Sequence, residues 1–248
     1  MKKALEICVY SLESAIIAQD NGADRVELCM GQFEGGTTPS YGLIKKVRQA
    51  LHIGVNVIIR PRGGDFVYSP LEVEVMEEDV RMAKAAGANG IVIGALLPDG
   101  SLDHQTCKRL VALAEGMEVT IHRAFDMSAN LPETLEQLIA MGFGRVLTSG
   151  GFNTAPEGIA VLNQLVQQAN GRISIMAGSG VGPQNALELL QAGVNELHLS
   201  AMEERPSTME YQNPHISMGK SGGVPEFSLF RANGQKVADV RKIINDFI

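Results

Sequence analysis

Short apolar stretches with a two-residue period recur eight times along the chain, and amphipathic helical patterns separate them. In VTIH, for example, Val119 and Ile121 alternate with Thr120 and His122, which is the pattern of a β-strand whose two faces differ. Four predicted strands begin near Leu5, Val55, Glu118 and Ile173. The other four lie in mutually similar segments, NGADRVEL, AGANGIVIG, MGFGRVLTSGG and AGVNELHLSA. The pattern therefore predicts eight strands, each followed by a helix.

Each of the four similar segments starts at the end of a helical pattern and has a glycine there. The glycines are Gly22, Gly87, Gly142 and Gly193, and glycine commonly ends a helix because it adopts the left-handed conformation. A strict alternation of eight strands and eight helices is typical of a closed parallel (β/α)8 TIM barrel of the α/β class. A doubly wound open sheet is the alternative, but the first strand lacks the glycine-rich turn of that fold. We therefore predict a single barrel domain over residues 1–248.

One face of the predicted strands is apolar, and the other carries ionisable residues. The apolar face must contact the helices, so the polar face points to the barrel axis, which small barrels usually fill with branched apolar side chains. Burying ionisable groups is costly unless they are paired or bind something. Two interpretations stay open: a structural ion network, or a binding site at the carboxyl-terminal mouth of the barrel. The residues predicted to face the axis are Glu6, Glu27, Arg60, His122, Glu196 and His198.

Composition and charge argue against several classes of partner. The formal net charge is −7 and the pI is near 5.3, whereas nucleic-acid-binding proteins usually have a basic face. No apolar run is long enough to span a membrane, and the first residues do not resemble a signal peptide. The three cysteines, an odd number, argue against a disulfide framework and for a reducing compartment. We expect a cytoplasmic protein with no nucleic-acid or membrane partner.

Three loops that follow predicted strands carry groups suited to anions. RPRGGDF brings Arg60 and Arg62 close together, and guanidinium groups bind carboxylates and phosphates; the alternative is a surface loop in which one arginine pairs with Asp65. Glycine-rich turns follow the sixth and seventh strands and expose backbone N–H groups to an anion, although ordinary tight connections use the same residues. The predicted anion-binding positions in these turns are Ser149, Gly150, Gly151, Gly178, Ser179 and Gly180.

Seven stretches of the sequence together resemble a known family. CVYSLESA, GADRVELCMG, EGGTTPS, IRPRGGDF, TIHRAFD, RVLTSGG and AGSGV are similar to the CutC family, named for copper homeostasis, from Leu5 to about Ser200. The resemblance implies a (β/α)8 barrel, a cytoplasmic location and binding of copper(I), with ligands at Cys8 and Cys29. Both cysteines end neighbouring predicted strands on the polar face, and Cu(I) prefers sulfur ligands. His198, on the same face, is a third candidate metal ligand.

The same mouth also suits an enzyme that acts on a small anionic substrate bearing a phosphate or carboxylate. Glu27 and His122 are the candidate acid and base, since burial moves the pKa values of such groups toward neutrality. Arg123 and Asp126 follow His122 in the next loop and complete the candidate catalytic set. No lysine lies at a strand end, which argues against a Schiff-base aldolase, and no GxSxG or HExxH motif is present. The sequence leaves both ligands open, a copper ion or a small anionic metabolite.

The segment from about residue 202 to 235 departs from the barrel pattern. It has no sustained period and precedes a final amphipathic helix. So long a connection in a compact domain is usually functional or disordered, and we predict an irregular lid over the mouth or a contact with a second subunit of a homo-oligomer. Its apolar part, Pro225–Phe230, is predicted to be ordered and buried. Ser207–Gly223 is predicted to be the most mobile part of the chain, and the first proteolytic cuts are expected between Arg205 and Lys220.

Overall fold

Eight parallel strands form a closed barrel. The computed structural model describes residues 3–213, 215–216 and 226–247, and the strands follow one another around the barrel in chain order until the last pairs with the first. The prediction of a closed (β/α)8 TIM barrel is confirmed. The strands are β1 (Ala4–Val9), β2 (Arg25–Leu28), β3 (Gly54–Ile58), β4 (Gly90–Ile93), β5 (Glu118–Ile121), β6 (Arg145–Thr148), β7 (Ser174–Ala177) and β8 (Glu196–Leu199).

Within the described residues eight α-helices surround this barrel, and local capping explains where several of them begin. Before the third helix, the Ser69 hydroxyl accepts a hydrogen bond from the N–H of Glu72, and the Glu72 carboxylate accepts one from the N–H of Ser69. This reciprocal capping satisfies two backbone donors, and Pro70 occupies the first helical position, which needs no N–H. The helices are α1 (Leu12–Asp20), α2 (Tyr41–Ala50), α3 (Pro70–Ala85), α4 (His104–Leu113), α5 (Leu131–Ala140), α6 (Ile159–Ala169), α7 (Ala186–Gln191) and α8 (Gly234–Phe247).

The repeated glycines end their helices as the sequence predicts. Gly22, Gly87, Gly142 and Gly193 have φ angles of 94°, 84°, 82° and 97°, in the left-handed region that costs glycine least. Each lies one or two residues past the end of a helix and turns the chain toward the next strand. The repeat visible in the sequence is therefore a repeat of helix ends and strand beginnings.

The two faces of the strands are buried in different surroundings. The apolar face packs against the helices; Leu5, Ile7, Val26 and Leu28 on β1 and β2 have no solvent exposure. Intervening residues such as Glu6 and Glu27 face the barrel interior and are also buried. The strand alternation read from the sequence is confirmed, so the interior of this barrel is polar over much of its height.

The prediction of an irregular segment at 202–235 is wrong at both of its ends. Strand β9 (Met202–Pro206) pairs antiparallel with β10 (Ser228–Ala232), and an ion pair of 2.9 Å joins Arg231 to Glu203. The hairpin packs beside the loop after β2, where the rings of Phe33 and Phe230 meet edge to face at 5.5 Å. These strands escape a sequence pattern because they are short, charged and far apart in the chain.

The burial predicted for Pro225–Phe230 is also wrong where the structure describes it. Leu229 is 57% exposed, and Phe227 and Phe230 are half-buried, because the two-stranded hairpin buries a side chain only where it touches the barrel. Pro225 and part of the segment Ser207–Gly223, which is predicted to be mobile, lie outside the described residues.

Candidate functional site

Four charged side chains form an ion network at the amino-terminal end of the barrel interior. Arg25, at the start of β2, contacts the carboxylates of Glu6 and Glu196. Arg145, at the start of β6, donates from Nε to Glu196 at 2.8 Å and from Nη1 to Thr120 at 3.1 Å. We call Glu6, Arg25, Arg145 and Glu196 the basal network. Its charges alternate in sign, which is what allows them to be buried.

The basal network also sets the charge state of Glu6. Burial raises the pKa of this carboxyl, but the charge of Arg25 and a hydrogen bond from His198 outweigh burial and hold the pKa well below its usual range. Glu6 is therefore ionised at neutral pH. Its Oε1 lies 2.8 Å from Nδ1 of His198, so the network reaches upward and fixes the orientation of that imidazole.

Above the basal network, two cysteines meet a histidine and a glutamate. The Sγ atoms of Cys8 and Cys29 lie 3.6 Å apart, and Nε2 of His198 lies 3.7 Å from Oε2 of Glu27. One ligand atom each from Cys8, Glu27 and His198 lies within 4.8 Å of the others. We call Cys8, Cys29, Glu27 and His198 the sulfur–imidazole cluster. All four are buried, and they come from β1, β2 and β8, which are neighbours in the closed barrel.

The pKa values in the sulfur–imidazole cluster move in opposite directions. A hydrogen bond from Cys29 lowers the pKa of the Cys8 thiol, burial opposes this, and His198 lowers the pKa further. For His198, burial lowers the pKa, but hydrogen bonds to Cys8 and Glu6 and the charges of the two glutamates raise it well above its ordinary value. Burial, followed by hydrogen bonding to Cys8, raises the pKa of Cys29. The cluster thus favours a Cys8 thiolate beside a His198 imidazolium.

Glu27 differs from Glu6 in the direction of its pKa shift. Burial raises the pKa of Glu27, the negative charge of Cys8 raises it further, and the opposing effect of His198 is smaller. The pKa values of two glutamates on adjacent strands therefore move in opposite directions, because arginine contacts Glu6 and not Glu27.

A cavity of about 490 Å³ opens from this cluster to the carboxyl-terminal mouth of the barrel. Cys8, Glu27 and His198 form its floor, and Arg60 and His122 contribute to its wall. Barrel enzymes place their sites at this end, and the volume suits a small organic molecule. Eight predicted site residues thus lie around one space: Cys8, Glu27, Arg60, His122, Arg123, Ser179, Gly180 and His198.

Arg60 lines the cavity, whereas Arg62 does not. The Nη1 group of Arg60 donates to the carbonyls of Glu34 and Gly36 at 2.7 and 2.8 Å, and Nη2 donates to the carbonyl of Gly64 at 2.8 Å. Arg62 turns outward and forms ion pairs with Glu72 and Asp65, at 2.5 and 3.0 Å. The prediction that both arginines hold one anion is therefore wrong for Arg62, which stabilises its own surface loop.

His122 has an arrangement that opposes a role as a base. Its Nδ1 accepts a hydrogen bond from the N–H of Ala124 at 3.1 Å, and burial together with the charge of Arg60 lowers its pKa to about 3. The ring packs against Phe66 with centroids 4.9 Å apart. A Cβ at Gly94 would lie 2.7 Å from Cε1 of His122, so only glycine leaves room for the ring. His122 is a neutral hydrogen-bond donor at physiological pH.

Arg123 and Asp126 both support the turn after β6; Arg123 also lines the cavity, whereas Asp126 does not. The Asp126 carboxylate accepts hydrogen bonds from the N–H groups of Ser149 and Gly151 at 3.0 Å and from the Thr148 hydroxyl. Arg123 donates to Asp126 from Nε at 2.8 Å. An internal carboxylate thus occupies the N–H groups that the sequence assigns to an external anion, which corrects the prediction for Ser149, Gly150 and Gly151. Gly150 itself donates to the Thr148 hydroxyl at 2.8 Å.

The turn after β7 keeps its N–H groups available. Ser179 and Gly180 have φ angles of 75° and 68°, and both line the cavity together with Val181. The N–H groups of these three residues donate no hydrogen bond within the described part of the chain. Gly178 does not share this property, since its N–H donates to the carbonyl of Thr148 at 3.0 Å. Of the two glycine-rich turns, only the second can offer donors to a ligand.

Sequence reasoning missed several residues that shape the site. Arg25 and Arg145 neutralise the glutamates of the basal network, and each is followed by valine at the start of a repeated strand, in DRVEL and GRVLT. That shared position was the available signal. Tyr10 and Phe66, which line the cavity, lie in loops without a periodic pattern, and their one signal was their place in CVYSLESA and IRPRGGDF, two of the stretches that carry the family resemblance.

Comparison with known proteins places the barrel in a family. Among the described residues, no helix is long and apolar enough to cross a membrane. The model of the CutC family matches residues 3–203. A copper homeostasis protein cutC homolog of Mus musculus is 48% identical over 240 residues, which cover 96% of this chain and 86% of the mouse protein. A family protein CutC from Histophilus somni is 47% identical over 243 residues, covering 98% of this chain and 99% of that protein.

A solved structure gives the same result. The crystal structure of CutC from Streptococcus agalactiae superimposes with a TM-score of 0.76 at 38% sequence identity, covering 79% of this chain and 98% of that one. A thiamine phosphate pyrophosphorylase from Pyrococcus furiosus, at 17% identity and a TM-score of 0.63, shares the fold alone. The chain belongs to the CutC family.

Proposed function

We propose that the chain binds Cu(I) in the sulfur–imidazole cluster, with Cys8, Cys29 and His198 as ligands. The observation that carries the proposal is the 3.6 Å separation of the two Sγ atoms beside an imidazole. Cu(I) is a soft ion that is selected by thiolate and imidazole ligands. Relatives of 47–48% identity named for copper homeostasis support the same ion. The function proposed is copper handling in a reducing compartment such as the cytoplasm, where free thiols persist.

The strand register favours a bridging ion over a disulfide. Cys8 pairs in register with Glu27 on β2, and Cys29 lies two residues further along. With strands about 4.8 Å apart and about 3.3 Å per residue along the strand, the two Cα atoms are about 8 Å apart. Cysteines whose Cα atoms are more than about 7 Å apart cannot form a disulfide without backbone movement. The thiols thus meet at a distance that an ion can bridge and a covalent bond cannot.

The surroundings of the cluster prepare it for a cation. Little free energy is needed to deprotonate Cys8 when the ion binds, because its neighbours in the folded chain already lower the pKa of its thiol. Cys29 and His198 must each lose a proton to become ligands, so copper binding releases protons and weakens as the pH falls. Glu6 holds Nδ1 of His198 and leaves Nε2 as the ligand atom, an arrangement common for histidines that bind metals.

An anaerobic Cu(I) titration against a competing chelator of sub-picomolar affinity tests this proposal. The wild-type chain is expected to bind one Cu(I), and Cys8→Ser and Cys29→Ser are each expected to lose the site. Cys107→Ala is the matched control, since Cys107 is also buried and reduced but lies in α4, packed in the core between the barrel and its helices. Equal Cu(I) binding by the wild type and the Cys8→Ser, Cys29→Ser double variant would refute copper binding at the cluster.

The cavity supports a second candidate function, an enzyme acting on a small anionic substrate. The favouring observation is the volume of about 490 Å³, far more than a single ion needs and typical of metabolite sites. In such an enzyme the groups on the cavity floor, Cys8, Glu27 and His198, would face the substrate. The acid–base role would fall to Glu27 with His198 in place of His122, whose ring does not titrate near neutral pH.

A further inference from the structure

His122 carries a buried hydrogen-bond donor for which the described part of the chain supplies no acceptor. Because Nδ1 accepts from the N–H of Ala124, the proton of the neutral ring is on Nε2. That nitrogen is buried and has no partner among the described residues, although the ring lines the cavity. Buried donors in folded proteins are nearly always paired, so an exception indicates a ligand or a water.

A guanidinium group that has no counterion among the described residues lies beside this donor. Arg60 and His122 both contact the ring of Phe66, with the guanidinium 5.1 Å and the imidazole 4.9 Å from its centroid. The guanidinium is held by three backbone carbonyls, which are neutral, and it forms no ion pair within the described residues. The wall near Phe66 thus combines an uncompensated cation with an N–H group that lacks an acceptor, which suits an oxyanion.

Across the barrel, the turn after β7 offers further donors. The N–H groups of Ser179, Gly180 and Val181 donate to no protein acceptor in the described chain, and these residues line the same cavity. Strand β7 lies opposite β3 in the closed ring of eight strands, so these donors face the Arg60 side from a distance. One ligand can satisfy both walls only if it is larger than an inorganic ion.

We infer that the cavity binds a small organic molecule through a carboxylate or phosphate group, which accepts a hydrogen bond from His122 and lies against Arg60. The N–H groups of residues 179–181 receive a second polar acceptor of the same molecule. Apolar residues between the two walls, among them Ile58, Phe66 and Leu147, contact its carbon skeleton. A catalytic role for this site rests on the second candidate function proposed above. Binding of the anion itself does not depend on that function, and neither the binding nor the catalytic role requires copper.

Nitrogen-15 NMR of the full-length chain tests the inference with three probes: inorganic phosphate, acetate, and acetamide as the neutral analogue of acetate. Each probe is too small to span both walls, so phosphate or acetate is expected to shift the Nε2 resonance of His122 and the amide resonances of residues 179–181 as two independent, saturable events at constant ionic strength. Acetamide is expected to have no effect at the same concentrations. A response to phosphate alone assigns a phosphate ester, and one to acetate alone assigns a carboxylic acid.

Two variants show whether binding uses His122. His122→Phe keeps the bulk of the ring and removes the donor, and the dissociation constant for the responding anion is expected to rise about ten-fold to one hundred-fold. His122→Gln retains an N–H donor and is expected to recover part of the affinity. Thermal unfolding confirms that both variants fold. If neither folds, the wild-type shifts at His122 and residues 179–181 decide the matter.

A copper-deficient variant separates this inference from the proposed copper function. Cys29→Ser is expected to lose Cu(I) and keep anion binding, whereas His122→Phe is expected to show the reverse. The inference is overturned if no probe shifts these resonances, if acetamide binds as well as acetate, or if wild type and His122→Phe bind the anion equally. If the chain binds the anion but turns over no substrate, the inferred binding site is supported and the proposed enzymatic function is refuted.

Discussion

The two ends of the barrel interior contain similar residues but differ in how those residues are paired. In the basal network every charge meets an opposite charge, and Arg25 joins two carboxylates. At the cavity end, Glu27 contacts no arginine and Nε2 of His122 has no partner among the described residues. Both ends are buried, so burial of polar groups alone does not separate structure from function.

The difference between the ends bears on the two interpretations that the sequence leaves open. The ion network is present, and the cavity, whose binding role stays a prediction, lies above it along the strands. Residues at the start of a strand, such as Arg25, Arg145 and Glu196, belong to the network. Residues near or beyond the end of a strand, such as Cys8 and His122, belong to the cavity. Position along the strand therefore predicts which buried charges are satisfied.

The largest stability effect is expected in the basal network. Glu196→Leu leaves Arg25 and Arg145 buried without this carboxylate, and breaking a buried pair in this way costs about 3–5 kcal/mol. For a chain of this size that lowers the Tm by about 10 °C. Glu27→Gln keeps the size of a side chain whose pKa is raised by burial, and it removes no contact with an arginine, so its Tm is expected to stay close to that of the wild type. Thermal unfolding measured by circular dichroism at pH 7 gives both values.

If Glu196→Leu and Glu27→Gln lowered the Tm equally, the proposed difference between the paired charges of the basal network and the groups at the cavity end would be refuted. Glu136→Leu provides a surface control, because its partner Arg172 is exposed and exposed pairs contribute little. A large effect there would show that the assay does not report burial.

The second effect in size concerns pH and His122. Its pKa is about 3 in the folded chain and about 6.5 when unfolded. Between these values the unfolded chain binds a proton that the folded chain does not, so the free energy of unfolding rises with pH in this window. The contribution of the neutral His122 ring to the free energy of unfolding is fully present above pH 6.5, and about 3 kcal/mol of stability is lost when the pH falls to 4.

Urea unfolding of wild type and His122→Phe from pH 4 to 7 measures this contribution. The variant lacks the titrating ring, so its stability is expected to fall less than that of the wild type over the same range. His52→Gln, which changes an exposed histidine, should keep the wild-type slope. Identical slopes for wild type and His122→Phe would show that His122 titrates normally and that the neutral donor assigned to it is wrong.

Asp126 is a fully hydrogen-bonded carboxylate at the mouth of the barrel. It tests whether the contribution of a polar group to stability depends on its hydrogen-bond partners or on its position along the barrel. Asp126 accepts hydrogen bonds from Ser149, Gly151 and Arg123, although it lies at the same end as the cavity. Asp126→Asn turns one acceptor into a donor that faces other donors, and a loss of about 2 kcal/mol is expected. Asp65→Asn, on an exposed side chain paired with Arg62, is the control. An unchanged urea midpoint for Asp126→Asn would favour position over pairing.

The sequence predicted the barrel because the signals for it are local. Apolar and polar residues alternate within each strand, and each repeated helix end carries a glycine. The strand at Val119 and Ile121 and the helix end at Gly87 can therefore be predicted from a few neighbouring residues, without knowledge of the rest of the chain. The same alternation placed Glu27 and His122 inside correctly. Strands β9 and β10 were missed because paired residues lie more than twenty positions apart in the chain. The two strands are therefore not joined by a short turn whose sequence would mark them as a hairpin.

The partners of the inward-facing groups could not be read from the chain. Whether Glu6 or Glu27 meets an arginine depends on the register between strands that are far apart in sequence, and only Glu6 does. The turn at Ser149–Gly151 looks like an anion site in the sequence, yet Asp126, more than twenty residues earlier, occupies it. Local pattern thus determines which face a residue occupies, and the closed barrel determines what that residue meets.

The smallest stability effect is expected at the sulfur–imidazole cluster itself. Cys29→Ser replaces one small group that can donate a hydrogen bond by another, beside Cys8 and Glu27, and it breaks no ion pair. A change of less than about 1 kcal/mol in the free energy of unfolding is therefore expected, measured by urea unfolding of the copper-free, reduced chain. The same variant is expected to lose Cu(I), so function and stability should separate at this residue. A loss above about 2 kcal/mol would instead give the cluster a structural role like that of the basal network. In that case the close approach of the two sulfur atoms would be a packing contact and would no longer support a copper site.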